Sequence, residues 1–359
     1  MKHDLMNCVA VLGVAAGLAV ATSSAYATVD FSTFVSGSDI AAAEGGNNAT
    51  IAFNYTGTGF VGSVYFGPNN NQLYSTNLTG GNVKTFGQPI PGFAGEVVVG
   101  VGLGQDGFAK GAVYAGNGQG NQIYLVPSSG APVLFGTTGV PENIRQIFFD
   151  PGSTFGGAML VTTNTGNIWS FNASGHPTLI ANVGEDTEGM DIASSAFGPY
   201  AGDLLVASEG SGTIRAVTPG GIVSVVATGL TEAETVSTVP LNLGSGNPLE
   251  GFYVANYPEN IQKAPASEFV GLQGDVIVTG EFGGGNSPIT DLHWNGSTVV
   301  ETLVGNLPNQ SEDGIFVTAQ RIQEVGTPEL STWAMMLLGF LGLGFAGYRK
   351  TRSAVSLTA

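Results

Sequence analysis

Cysteine is nearly missing from this 359-residue chain; Cys8 is the one copy. It lies in the apolar leader, so the body has neither a disulfide nor a thiolate metal site. Histidine is almost as scarce. Beyond the leader only His176 and His293 occur, which excludes a histidine metal cluster and leaves no partner pattern for a Ser-His-Asp triad. No G-x-S-x-G is found. Gly102-Leu103-Gly104-Gln105-Asp106-Gly107 has the spacing of a dinucleotide-binding turn. That site needs a helix next, and Phe108-Ala109-Lys110 leads toward another strand. Charge is sparse as well, at 10% against roughly 25% in ordinary globular chains. What charge there is has one sign. Residues 28 to 327 hold six basic and 25 acidic side chains, a formal −19. Such a surface repels nucleic acid and anionic lipid and attracts cations.

Glycine is abundant instead, at 56 residues, and 43% of the chain is apolar. The apolar share is enough to bury a core, which argues against a disordered polymer. Many short apolar runs between glycine-rich turns predict an all-β protein.

Both ends read as addresses. Lys2 and His3 precede an apolar run from Val9 to Val20, and Ser24-Ala25-Tyr26-Ala27 follows. This is the layout of a secretory signal peptide over 1–27. Signal peptidase is expected to cut after Ala27, with Ala25 as the other small recognition residue. At the far end Trp333 to Tyr348 carries no charge. Sixteen helical residues span about 24 Å, short for a hydrocarbon core of roughly 30 Å. Ser331 and Thr332 extend the transmembrane helix to 331–348. Arg349, Lys350 and Arg352 hold its end in the cytoplasm.

Pro328-Glu329, Ser331-Thr332-Trp333-Ala334, a glycine-rich apolar run and the Arg349, Lys350 and Arg352 cluster together resemble the PEP-CTERM sorting signal. Leu330 stands where that motif has its second proline, and a tail from Ser353 to Ala359 runs past the basic cluster. The resemblance covers about the last tenth of the chain. It implies processing by an exosortase in a Gram-negative bacterium that makes exopolysaccharide, with a transient inner-membrane anchor. The mature protein would lie in the periplasm, at the cell surface or in the extracellular matrix. It implies nothing about the activity of residues 28 to 327.

The body repeats. GSVYFG, GAVYAG, GAMLVT, GDLLVA and GDVIVT begin at Gly62, Gly111, Gly157, Gly202 and Gly274. Each is followed by a second and a third β-prone stretch, joined by turns such as Ser128-Ser129-Gly130 and Pro219-Gly220-Gly221 that suit positive φ. A fourth stretch precedes the later units: EVVVGV from Glu96, RQIFFD from Arg145, EGMDIA from Glu188, EGFYVA from Glu250 and DGIFVT from Asp313. Four short strands per repeat of about 40 to 50 residues is the signature of propeller blades. The expected fold is a β-propeller of four-stranded blades over 28–318, five to seven in number with six favoured. Residues 319–327 form a linker and 328–359 the sorting signal. Residues 28–50 read as a polar lead-in, Ile51 to Tyr55 as the strand that closes the ring, and 230–249 as an insertion or part of a degenerate sixth blade. In period and strand layout the body resembles six-bladed propellers of the lactonase and NHL-like group.

In a propeller the first strand of each blade lines the channel. Glu96, Glu188, Glu250 and Glu312 stand at or before that strand, with Asp191 and Asp313 nearby. Converging carboxylates repel unless a hard cation such as Ca²⁺ joins them, so these four glutamates are the candidate metal ligands. Solvated turn residues are the plainer alternative. Glu188-Gly189 and Glu250-Gly251 resemble the metal-binding Glu-Gly start of lactonase-type propellers, with Met190 and Phe252 in place of the usual proline. Trp169 and Trp294 are read as packing between blades. The function expected is a non-catalytic binding propeller on an exported protein, with a polysaccharide or a small molecule as ligand. The alternatives are a Ca²⁺-dependent hydrolase of the lactonase type and a structural biofilm component.

Overall fold

The computed structural model describes residues 28–281 and 286–323. Ala25, Ala27, Pro328, Glu329, Trp333, Arg349, Lys350 and Arg352, and with them both sorting readings, lie outside the described residues. No helix among the described residues is long and apolar enough to cross a membrane.

The described chain forms six four-stranded antiparallel sheets. It opens with β1 (Ser32–Val35) and the short helix α1 (Gly37–Ala43), which is capped by Ser36. Blade 1 is β2 (Thr50–Tyr55), β3 (Phe60–Val64), β4 (Leu73–Thr76) and β5 (Lys84–Phe86). Blade 2 is β6 (Val98–Val101), β7 (Val113–Gly116), β8 (Gln122–Val126) and β9 (Val133–Thr137). Blade 3 follows as β10 (Ile144–Phe149), β11 (Met159–Thr163), β12 (Asn167–Phe171) and β13 (Pro177–Asn182). Blade 4 is β14 (Met190–Ile192), β15 (Leu204–Ser208), β16 (Thr213–Val217) and β17 (Val223–Ala227). In each the first strand is innermost. The inner strands touch their neighbours around a closed ring.

The last two blades are interleaved. The chain lays down β18 (Ala233–Thr238) as the inner strand of blade 5 and then leaves for β19 (Gly251–Tyr257) and β20 (Asn260–Pro265) of blade 6. It returns to finish blade 5 with β21 (Val276–Gly280), β22 (Ser287–Trp294) and β23 (Val299–Leu307). Finally β24 (Gln310–Val317) fills the inner position of blade 6, and β1 pairs with β20 as its outer strand. The short helix α2 (Ala319–Gln323) follows.

This corrects three sequence expectations. The lead-in contains the ring-closing strand β1, whereas Ile51 to Tyr55 is an inner strand. Residues 233–238 of the expected insertion are the channel strand of blade 5. EGFYVA is a second strand that never reaches the channel. A period-2 apolar pattern marks a strand but does not say which of four radial positions it fills.

The core is divided by the same geometry. Six hydrophobic clusters fill the six interfaces between blades. A sheet buried on both faces reads as a continuous apolar run, as in the fully buried β11 MLVTT and β15 LLVAS. Outer strands are half-solvated, and Val133, Leu179 and Val225 are exposed. Trp169 and Trp294 lie in clusters of this kind, and Trp169 Nε1 donates to Glu142 Oε1 at 2.8 Å.

Two buried acids, Glu44 and Asp291, conflict with the core around them. Asp291, on β22, has no exposed surface, and neither carboxylate oxygen has a partner. Burial pushes its pKa to about 7, and Asp275 adds to the shift. A raised carboxylate pKa means that the folded state keeps a proton the unfolded chain has released. Stability is then full below the unfolded pKa and is lost as pH rises through 7. Asp291→Asn is therefore expected to stabilise the protein at pH 8.5 by about 1 kcal/mol or more, in the range for an unpaired buried group. It should change little at pH 5. Thermal melts at the two pH values check this, and an equal effect at both would contradict the assignment.

Candidate functional site

All six inner strands run in one direction along the axis, so their starts form one mouth of the channel and their ends the other. The first mouth is built from carboxylates. Glu96 and Glu188 precede β6 and β14, Glu234 opens β18, and Glu312 sits at the start of β24. The hairpins between second and third strands reach the same face and bring Glu209 and Glu281. Asp186 joins from the turn before β14. Arg145 is the guanidinium that pairs with acids of this set, while Arg215, bonded to Ser208 beside Glu209, pairs with Glu185.

Arg145 is fully engaged. Its Nη2 meets Asp186 Oδ2 at 2.8 Å, its Nε meets Glu188 Oε1 at 3.2 Å, and its Nη1 contacts Glu96 Oε2. Burial works against its charge, but Glu188, Asp186 and Glu96 together hold Arg145 above its ordinary pKa.

In the other half of the mouth none of the glutamates Glu209, Glu234 and Glu281 has an ion-pair partner among the described residues. Carboxylate oxygens of Glu209, Glu234 and Glu281 all lie within 4.8 Å of one another. Glu234 is 8% exposed. Its side chain has no hydrogen-bond or ion-pair partner among the described residues. Burial pushes Glu234 well above the carboxylate range, with Glu188 and Glu312 adding to it. Glu281 is raised to about 8 by burial and then by its hydrogen bond with Glu209. Glu188 and Glu312 are likewise well above range, chiefly through burial.

The backbone explains how two of these acids come so close. Gly189 N donates to Glu234 O at 2.8 Å, which ties the start of β14 directly to β18. A Cβ on Gly189 would stand 2.6 Å from Glu234 O and from Thr235 Cα. Glycine is therefore required where Glu188 leads into the channel.

A polar waist separates the two mouths. Asp313 Oδ2 accepts from Phe53 N at 3.2 Å and its Oδ1 from Gln146 Nε2 at 3.3 Å, while Gln146 Oε1 accepts from Met190 N. Beyond it the second mouth opens into a cavity of about 340 Å³, lined by Leu103, Phe149, Met190, Phe316 and Arg321 among others. Asp191 faces this side and accepts from Thr238 N at 2.8 Å.

Of the four glutamates expected to share a mouth, three do: Glu96, Glu188 and Glu312. Glu250 does not. It precedes β19 at the opposite face, where it accepts from Ser245 Oγ at 2.7 Å and from Ala319 N at 3.1 Å. These bonds anchor the first residue of α2 and, despite burial, lower the pKa of Glu250. Sequence reasoning missed Glu209, Glu234, Glu281 and Asp186, and with them the tightest carboxylate group at the mouth.

No protein-family model and no curated protein matches the chain. Solved structures do. A putative gluconolactonase is 10% identical over 81% of this chain and 86% of its own, with a TM-score of 0.50. Virginiamycin B lyase from Staphylococcus aureus is 12% identical over 71% and 84%, with a TM-score of 0.45. A streptogramin B lyase is 10% identical over 76% and 87%, with a TM-score of 0.43. At such identities the likeness is one of fold, the six-bladed propeller.

Proposed function

We propose that this is an exported propeller whose acidic mouth binds a divalent cation, Ca²⁺ by preference, and presents it to a ligand outside the cytoplasm. The observation that supports the reading is the group Glu209, Glu234 and Glu281, with oxygens within 4.8 Å and a buried, unpartnered member. Oxygens around one Ca²⁺ lie about 2.3–2.6 Å from the ion and thus no more than about 5 Å apart. Joining the three to a cation removes the repulsion that their burial creates. Calcium titration of the wild type and of Glu234→Gln tests it, and the expected result is argued below.

Export rests on the two terminal signals. Mass spectrometry of the mature protein is expected to find a start at Thr28 and no trace of 333–348. A mature form that keeps both ends would contradict the exported, exosortase-processed reading and leave the cation site standing.

A further inference from the structure

Beside the carboxylates the mouth carries an aromatic corner that cation binding by the glutamates does not use. Tyr65 follows β3 in blade 1, and Tyr257 ends β19 in the neighbouring blade 6. Their rings meet edge to face at 5.8 Å and 85°. Phe66 packs on Tyr65 at 4.4 Å and is half exposed. Tyr257 pairs in register with Gln310, and Gln310 Nε2 in turn holds Glu312 Oε1 at 2.9 Å. The corner is thus two strand positions from a channel carboxylate. Neither tyrosine hydroxyl has a hydrogen-bond partner among the described residues. Burial raises both phenols, and Glu96 and Glu312 contribute to each.

We infer that the mouth takes a small organic ammonium ion, seated on the faces of Tyr65 and Tyr257 with Glu312, ionised as the ammonium binds, as its counter-charge. The inference rests on the cation-binding reading of the same mouth. An aromatic face attracts a cation that keeps little hydration, which suits an alkylammonium group and not a hydrated metal. The charge balance selects the same class. Counted as ionised, the seven acids outnumber the charges of Arg145 and of a bound divalent cation. An anion is repelled there, and a neutral ligand gains nothing from the field.

The test is calorimetric titration of the full-length protein, saturated with Ca²⁺, with choline and with its neutral isostere 3,3-dimethylbutan-1-ol. Choline is expected to bind at least about tenfold tighter, the order of a cation–π contact aided by carboxylates. Tyr65→Leu and Tyr257→Leu should each weaken choline by about tenfold and leave Ca²⁺ affinity within about twofold. Tyr257→Phe, which keeps the ring, should bind choline as the wild type does and so separates lost stacking from misfolding. Equal binding of choline and the alcohol, or leucine variants that bind choline normally, would overturn the inference. If Ca²⁺ binds normally in those same titrations, only the ammonium site falls. If Ca²⁺ fails to bind at all, the reading beneath it falls too.

Discussion

Calcium at about a hundred times its dissociation constant is expected to raise the melting temperature of the apo protein at pH 8 by roughly 4–5 °C, and Glu234→Gln to abolish most of that rise. The size follows from linkage: a ligand at 100 Kd adds about 2.7 kcal/mol to the folded state. At about 2.1 cal/mol/K of unfolding entropy per residue, one kcal/mol moves the melting point of a domain of this size by about 1.5–2 °C. The pH enters with a definite sign. Glu281 is raised to about 8, and Glu188, Glu234 and Glu312 are well above the carboxylate range. Their folded forms hold protons that the unfolded chain releases near pH 4.5. These four acids therefore contribute apo stability that is full at low pH and declines as pH rises, for Glu281 through about 8. Calcium must displace those protons, so its stabilising effect grows over the same window and is smaller at pH 6 than at pH 8. Glu234→Gln removes the most buried ligand together with its repulsion. The variant should melt higher than the apo wild type at pH 8 and yet respond little to calcium. A full calcium shift in Glu234→Gln would remove this triad as the site, whatever the activity of the protein.

Much of this site is legible in the sequence, one residue past the end of the repeated second strand. Glu209 stands seven residues after Gly202 in GDLLVASE, and Glu281 stands seven after Gly274 in GDVIVTGE. The same offset from Gly157 gives Asn164. Reading the repeat one residue beyond its second strand places both acids on one hairpin face. Glu234 was harder to see. It belongs to AETVST, whose blade is interrupted after that strand by two strands of its neighbour. The strand therefore lacks the following stretches that identified the other units. Interleaving also misled the reading of Glu250. EGFYVA has the apolar pattern of a channel strand because a second strand is buried on both faces as well. Radial position comes from pairing between distant segments, which local pattern does not carry.

Ring closure is the feature with the largest expected effect on stability. Val35→Asp is expected to cost at least about 4 kcal/mol, the scale for an unpaired charge placed in a core. Val35 has no exposed surface and packs in the cluster between blades 6 and 1. It lies on β1, the one strand that joins the start of the described body to its end, through pairing with β20. Beside it Phe34 meets Phe53, Phe60 and Tyr253 edge to face at 6.2, 5.2 and 4.8 Å. Displacing β1 would uncover those rings and leave β20 as an open edge next to blade 1. Each blade depends on its neighbours for both faces of its sheet. Damage at this seam should therefore spread around the ring, lowering cooperativity as well as stability. Ser32→Asp, on the same strand but exposed, is the control and should stay within about 0.5 kcal/mol of wild type. Denaturant melts of the two variants separate the cases. If Val35→Asp unfolds at the wild-type midpoint, β1 does not hold the ring closed, and the seam must be carried by the contacts of β24, β19 and β20 with β2.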